Sequence, residues 1–84
     1  MSHRILVVED QPEISSIVIR YLQSENYLTD VAQDGFDALK RFNQQIYHLV
    51  ILDVMMPGIN GFEVLRDIRN ISDVPVIMLT AKNA

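Results

Sequence analysis

Four short apolar runs recur along the chain, and each is separated from the next by a segment with helical spacing. The runs are RILVV at 4–8, YLTDVA at 27–32, HLVIL at 48–52 and VPVIML at 74–79. Regular alternation of strand and helix signals predicts an α/β fold, a parallel sheet joined by right-handed crossovers. The first, third and fourth runs are continuously apolar, which is typical of strands covered on both faces, whereas polar residues interrupt the second and predict an edge strand.

The segments between the runs, 12–26, 34–46 and 61–70, each carry apolar residues at helical spacing. Pro12 stands where the first turn of a helix tolerates proline. The stripes predicted to face the sheet are Ile14, Ile17, Val18, Tyr21 and Leu22 in the first segment, Phe36, Leu39, Phe42 and Ile46 in the second, and Phe62, Leu65 and Ile68, with Val64 at the flank, in the third.

The composition of the chain argues against disulfide-rich, nucleic-acid-binding and membrane-spanning classes of protein. The 84 residues are enough for one domain, and the absence of cysteine excludes a disulfide framework and a thiolate metal site. Seven basic and eleven acidic residues give a net charge of -4 without a Lys/Arg cluster, so we expect no nucleic-acid binding by this segment. The apolar runs fall far short of the ~20 residues that cross a bilayer, and the first ten residues lack a secretory signal. We therefore expect a cytoplasmic protein without membrane contact.

Polar residues that follow the predicted strands share one edge of the sheet, where open parallel sheets bind ligands. Glu9 and Asp10 follow the first strand, Asp53 follows the third and Thr80 follows the fourth. Taken singly, Asp10, Asp53 and Thr80 also suit helix caps or turns, whereas Glu is not a favoured cap. Three converging carboxylates with no neighbouring base would raise one another's pKa and cost stability unless a cation neutralised them.

Magnesium is the cation that this set fits best, because Mg²⁺ takes one or two carboxylates, keeps several waters and leaves room for a phosphate oxygen. Zinc would call for histidine or cysteine. His3 and His48 begin strands at the far end of the sheet, where we expect them to be solvated. With Mg²⁺ bound, a carboxylate can attack phosphorus and form an acyl phosphate. Asp53 is best placed for that role, since a turn follows it, and Thr80 offers a hydroxyl donor.

Three segments together, ILVVED, LVILDVMMPGINGFEVL and VPVIMLTAK, resemble the receiver domain of two-component response regulators, in order and spacing from residue 4 onward. Within that family the chain is most similar to the winged-helix transcription-factor subfamily. The resemblance implies a flavodoxin-like (CheY-like) open parallel sheet of strand order 2-1-3-4. It also implies transfer of a phosphoryl group from a sensor histidine kinase to an aspartate, which controls transcription through a DNA-binding domain.

Position by position, the resemblance assigns roles to five residues. Asp53 corresponds to the phosphoacceptor, and Glu9 and Asp10 to the acidic pair that holds Mg²⁺. Met55 corresponds to the residue whose backbone carbonyl binds the metal, and Thr80 to the switch hydroxyl. The predicted metal site is therefore Glu9, Asp10, Asp53 and the Met55 carbonyl.

Residues 1–84 are predicted to be a partial receiver without an output domain, because a complete receiver has a fifth strand, two further helices and a lysine after that strand. Lys82 is not that lysine, since it comes two residues after Thr80. Without this fixed cation we expect impaired phosphorylation or readout. The fourth strand would also be an apolar edge that invites self-association, with Pro75 blunting only one position.

Two other functions remain open at this stage. The first is a non-catalytic interaction fragment of the same fold that docks a kinase or self-assembles, with a partner surface around Ile14 and Ile19; a wide core-facing stripe explains those residues equally well. The second is a phosphatase or nucleotide-binding fragment. It is disfavoured because the chain lacks G-x-x-x-x-G-K-[ST] and G-x-G-x-x-G and has Met55, rather than a second aspartate, two residues after Asp53.

Overall fold

The computed structural model describes residues 2–79, which form four strands and three helices in strict alternation. The elements are β1 (Arg4–Val8), α1 (Pro12–Ser24), β2 (Leu28–Ala32), α2 (Gly35–Gln44), β3 (Leu49–Asp53), α3 (Gly61–Arg69) and β4 (Val76–Leu79). Their ends differ from the sequence prediction by only a residue or two. Within this part of the chain, no helix has both the length and the apolar character that a bilayer crossing requires.

All four strands are parallel and lie in the order β2-β1-β3-β4, which confirms the predicted topology. The two continuously apolar strands β1 and β3 occupy the centre, and β2 is an edge strand as expected. Val8 is level with Leu52, so the next residues, Glu9 and Asp53, leave the sheet side by side. Asp53 is also level with Leu79 on β4. The register therefore brings the ends of β1, β3 and β4 to one place.

Side chains alternate between two apolar clusters, one on each face of the sheet, because successive strand residues point to opposite faces. The larger cluster lies under α2 and α3 and contains Leu6, Val8, Val50, Leu52, Val64 and Ile68 among its buried members. The smaller lies under α1 and contains Ile5, Val7, Leu22 and Ile51. Each fully buried aliphatic side chain contributes about 1.5–3 kcal/mol through removal of apolar surface from water.

The predicted core stripe of α1 is wrong in three of its five positions. Ile14, Ile17 and Tyr21 are exposed, with 66% of the Ile17 surface accessible. The helix instead turns Ser15, Val18, Ile19 and Leu22 toward the sheet. Ser15 is tolerated there because its hydroxyl donates to the Pro12 carbonyl at 3.3 Å, which satisfies the polar atom and leaves a small residue at the interface. Apolar spacing alone selected the wrong part of a wide apolar surface. Of the two interpretations left open for Ile19, the core-facing one is confirmed, because Ile19 packs on the smaller cluster.

Large apolar residues at the starts of α2 and α3 are also exposed, against prediction. Phe36 and Phe62 face solvent, as does Ile46 beyond the end of α2, while the small residue Ala38 and the supposedly flanking Val64 are fully buried. The cause is the close approach of the two helices: a Cβ atom at Gly35 would lie 2.8 Å from Val64 Cγ2. Small residues make that contact, and the aromatic rings are displaced outward.

The strand β4 is less covered than its apolar sequence predicts. All four of its side chains retain accessible surface, and Ile77 is 49% exposed. Among residues 2–79, β4 pairs only with β3. Val76 and Met78 pack on the larger cluster and Leu79 on the smaller, so both faces of β4 are partly covered, and within residues 2–79 the strand lies at the edge predicted for it.

Candidate metal centre at the carboxyl end of the sheet

Three carboxylates from two strand ends converge at the carboxyl end of the sheet. One oxygen each from Glu9, Asp10 and Asp53 lies within 4.8 Å of the others. Glu9 and Asp53 are buried, each with 5% of its surface accessible, and Asp10 is half-buried. The structure therefore brings together the three acids that the sequence analysis singled out.

Backbone pairing fixes the positions of these acids. The Glu9 amide donates to the Ala32 carbonyl at 3.0 Å and so continues the pairing of β1 with β2 by one residue. The cap of α1 is Gln11, which makes no side-chain capping bond, so Asp10 does not serve as the helix cap. Its carboxylate remains part of the acidic cluster.

The burial of Glu9 has an electrostatic consequence. Removal from water raises the pKa of the Glu9 carboxyl to about 7; the Gln11 amide, which donates to Glu9 Oε2 at 3.1 Å, opposes the rise, and the charges of Asp53 and Asp10 add to it. Within residues 2–79, no basic side chain forms an ion pair with any of the three acids. The cluster is thus an all-oxygen donor set with uncompensated negative charge, which fits Mg²⁺ and offers zinc none of its usual nitrogen or sulfur ligands.

Asp53 begins a turn that holds its carboxylate in one orientation. The Met55 amide donates to Asp53 Oδ1 at 3.1 Å, and the Val54 amide donates to the Leu79 carbonyl at 2.9 Å. In the part of the chain described, Asp53 Oδ2 takes part in no hydrogen bond. The turn interpretation of Asp53 is therefore correct, and it leaves one carboxylate oxygen available for chemistry.

Gly61 matches the turn that follows the phosphoacceptor in the family, but the sequence did not reveal its contact with the backbone of Asp53. Its amide donates to the Val54 carbonyl at 3.0 Å, and a Cβ atom at this position would lie 2.5 Å from the Asp53 carbonyl oxygen. The start of α3 therefore packs directly on the backbone of Asp53. Asn60 and Glu63 form a reciprocal capping box that fixes where this helix begins. An Asn-Gly pair before an apolar helical stripe is the signal in the sequence that could have indicated this packing.

Four further residues from the sequence analysis have different outcomes. Thr80 and Lys82 fall outside residues 2–79, the part of the chain that the structure describes, so the role of Thr80 stays a prediction. His3 and His48 are exposed at the amino end of the sheet, as expected, where His48 Nδ1 accepts a hydrogen bond from the Arg4 amide at 3.0 Å.

Known proteins are similar to this chain in both sequence and fold. The response regulator receiver domain profile matches residues 5–84. The transcriptional regulatory protein ResD of Bacillus subtilis is 46% identical over 79 residues, which cover 94% of this chain and 33% of ResD. The chain thus spans about a third of the length of such curated relatives.

Solved structures extend the match to three dimensions. The response regulator protein TrrA of Thermotoga maritima, in complex with Mg²⁺-BeF, is 48% identical with a TM-score of 0.91 and covers 99% of this chain and 72% of its own. In its complex with the histidine kinase ThkA the match has 47% identity and a TM-score of 0.90 over 100% of this chain and 72% of that one. The chain therefore belongs to the response regulator receiver domain family.

Proposed function

We propose that this chain accepts a phosphoryl group on Asp53 from a sensor histidine kinase, with Mg²⁺ held by Glu9, Asp10, Asp53 and the backbone carbonyl of Met55. The observation that carries this proposal is the convergence of three carboxylates, two of them buried, without a basic partner among residues 2–79. Family membership supports the reaction class, and the solved complex of TrrA with Mg²⁺-BeF supports the choice of metal.

Each residue has a defined part in this chemistry. An Asp53 oxygen forms a bond to phosphorus while the bond from phosphorus to the donor breaks, and the product is an acyl phosphate. The Met55 amide holds Asp53 Oδ1, so that Oδ2 is presented to the donor. Mg²⁺ held by these residues would supply positive charge to the transferred phosphoryl group. Loss of the Glu9 proton near pH 7 would make that carboxylate available to hold the metal. For Thr80 we retain the proposed role of switch hydroxyl.

Phosphoryl transfer can be tested directly with a small phosphodonor. The chain is incubated with Mg²⁺ and phosphoramidate, and the added phosphoryl mass is followed by mass spectrometry. Asp53→Asn is expected to abolish the mass gain, whereas the matched change Asp73→Asn, at an exposed site in the loop before β4, is expected to preserve it. A chain that gains no mass, or an Asp53→Asn variant that still gains it, contradicts the proposal. The predicted impairment of residues 1–84 as a phosphoacceptor would appear in the time course as slow labelling that still reaches the full mass gain.

The wider role follows from the relatives. We propose that the full protein is a cytoplasmic transcriptional regulator of the winged-helix type, in which phosphorylation of this segment controls a separate DNA-binding domain. The name of ResD and the solved complex of TrrA with a histidine kinase support this role. Ile14, exposed at the end of α1 nearest the acidic cluster, is the residue that we propose for kinase contact. Loss of transfer from a cognate kinase in Ile14→Asp, with phosphoramidate labelling retained, would test that contact.

Self-association through β4 is a second candidate function, favoured by the exposure of Ile77 and by accessible surface on every β4 side chain. Exposed apolar strand edges pair readily with other chains. Light scattering during size-exclusion chromatography is expected to show a dimer or larger species that Ile77→Lys converts to monomer. A monodisperse monomer of the unaltered chain contradicts this second function without affecting the first.

A further inference from the structure

A polar cavity of about 310 Å³ lies at the amino end of the sheet, the end opposite to the acidic cluster. It is lined by Arg4, Asp30, Arg41, Gln44, Gln45 and Tyr47. Asp30, level with Leu6, is the lining residue on the sheet nearest to Glu9, and three strand residues, about 10 Å at the usual rise, separate the two levels. The proposed phosphoryl transfer at Asp53 does not involve any residue that lines this cavity.

The floor of the cavity is a preformed network of three side chains, one each from β1, β2 and the segment before β3. Asp30 Oδ2 accepts from Arg4 Nη1 at 3.1 Å and from the Tyr47 hydroxyl at 2.7 Å. Tyr47 is only 6% exposed and stacks on Phe42, with ring centroids 6.2 Å apart. Burial and the neighbouring Asp30 raise the pKa of Tyr47, so its hydroxyl stays protonated. The network compensates the charge of Asp30 and holds the floor rigid.

The wall of the cavity presents hydrogen-bond donors from the last turn of α2. Arg41 Nε donates to Asp37 at 3.2 Å, which orients the guanidinium group. Among residues 2–79, the two terminal nitrogens of Arg41 donate to no side chain or carbonyl. Gln44 and Gln45 add neutral amide groups beside them. A guanidinium fork of this kind matches the paired oxygens of a carboxylate or a phosphate.

We propose that this cavity binds an oxyanion, the phosphate or carboxylate group of a small polar molecule, with Arg41 as the main contact. The lining contains two arginines and one aspartate, and Asp37 pairs with Arg41, so the charges around the cavity balance in a chain whose net charge is -4. Positive charge on Arg41 in the last turn also offsets the negative end of the α2 dipole, which would otherwise repel an anion. The volume stands at the lower end of small-molecule sites, about 300–1,000 Å³, so the ligand is small.

The test is a titration of the ¹⁵N-labelled chain followed by NMR, without Mg²⁺ and at constant ionic strength. The ligands are glucose 6-phosphate, succinate and, as the uncharged control, glucose. Saturable shifts are expected at the side-chain amides of Gln44 and Gln45 and at Arg41 Nε with at least one of the two anions, and none with glucose. Arg41→Gln is expected to weaken binding at least about tenfold, the effect of losing a charge-assisted hydrogen bond. The matched control Arg20→Gln, on the exposed side of α1, removes the same charge elsewhere.

The outcomes separate the two ligand sources and the alternatives. Saturation with glucose 6-phosphate alone assigns the cavity to phosphate groups, saturation with succinate alone assigns it to carboxylates, and saturation with both assigns it to either. Arg41 is 42% exposed and pairs at the surface, so the variant is expected to remain folded, and its spectrum verifies this. The proposal is overturned if neither anion gives saturable shifts, or if Arg20→Gln weakens binding as much as Arg41→Gln, which would indicate diffuse attraction of anions to the whole chain.

Discussion

Both ends of the sheet contain acidic side chains that are partly or fully removed from water. Within residues 2–79, a basic side chain compensates the charge at the amino end only. At the amino end, the Asp30 carboxylate is paired with Arg4 and accepts a hydrogen bond from Tyr47. At the carboxyl end, Glu9 and Asp53 are more deeply buried, yet within residues 2–79 no basic side chain pairs with them. Their hydrogen bonds come from the backbone amides of Gln11 and Met55.

Under the proposed function, the contrast separates an acid that stabilises the sheet from acids that serve the chemistry. Asp30 on β2 pairs with Arg4 on β1 and accepts from Tyr47, two residues before β3, so pairing it stabilises the sheet. A basic partner for Glu9 would neutralise the negative charge that attracts a metal ion. The raised pKa of Glu9 reflects the loss of stability that comes from burying this carboxylate without such a partner. The uncompensated acids at the carboxyl end, Glu9 and Asp53, and the compensated Asp30 at the amino end can be tested with separate variants.

The largest expected effect comes from disturbing the backbone that supports the acidic cluster. Gly61→Ala would place a Cβ atom 2.5 Å from the Asp53 carbonyl oxygen and 2.7 Å from Val54 Cα, so α3 or β3 must move. We expect a loss of about 3 kcal/mol in the free energy of unfolding, measured with urea, together with slower labelling of Asp53. Gly58→Ala is the control: despite its positive φ of 77°, the nearest atom is Phe36 Cε2 at 3.9 Å, and the expected cost is about 1 kcal/mol. Equal losses in the two variants would contradict this account of Gly61.

The next effect is a gain in stability accompanied by a loss of metal binding. Glu9→Gln removes the buried charge and keeps an oxygen that accepts from the Gln11 amide. At pH 8 without Mg²⁺ we expect stability to rise by about 1 kcal/mol, while the Kd for Mg²⁺ increases about tenfold or more. The exposed change Glu13→Gln in the first turn of α1 is expected to alter neither quantity appreciably. Destabilisation by Glu9→Gln at pH 8 would show that the carboxyl end is compensated after all.

The same residue predicts how pH acts on the domain. The pKa of Glu9 is raised from 4.5 to about 7, so the folded state holds this proton more tightly than the unfolded state. The contribution of Glu9 to stability is therefore most favourable below pH 4.5 and is lost as pH rises through about 7. Under the proposed function Mg²⁺ would compete with that proton, and its Kd is expected to increase by up to about tenfold per pH unit below 7. Calorimetric titration between pH 6 and 8 measures this slope, and a slope that persists in Glu9→Gln would assign it to another group.

The topology and the acidic cluster could be predicted from the sequence because both depend on strand ends. Continuous apolar runs mark β1 and β3, and parallel register then forces Glu9 and Asp53 together without knowledge of any side-chain contact. The strand order and the family were predicted from the motifs that contain these strands, and both predictions are confirmed.

Helix orientation was less predictable, because it depends on contacts between elements. Ser15 and Ala38 face the sheet while Ile17 and Phe36 face solvent, since close approach of each helix favours small residues at the contact. The compensation of Asp30 was equally inaccessible: Arg4 and Tyr47 lie 26 and 17 residues away from it in sequence. Long-range pairs of this kind are decided by packing geometry, which spacing along the chain does not encode.

The smallest expected effect tests the compensated end. Tyr47→Phe removes the hydroxyl that donates to Asp30 and leaves the Arg4 ion pair and the stacking on Phe42 in place. Because a buried hydrogen bond to a charged acceptor is lost while water reaches the half-buried carboxylate, we expect a loss of about 1 kcal/mol in the free energy of unfolding. Tyr21→Phe, at an exposed position on α1, is expected to change stability by less than about 0.5 kcal/mol. Equal values for the two variants would mean that the Asp30 network adds nothing to the sheet, and the contrast between its two ends would then rest on the acidic cluster alone.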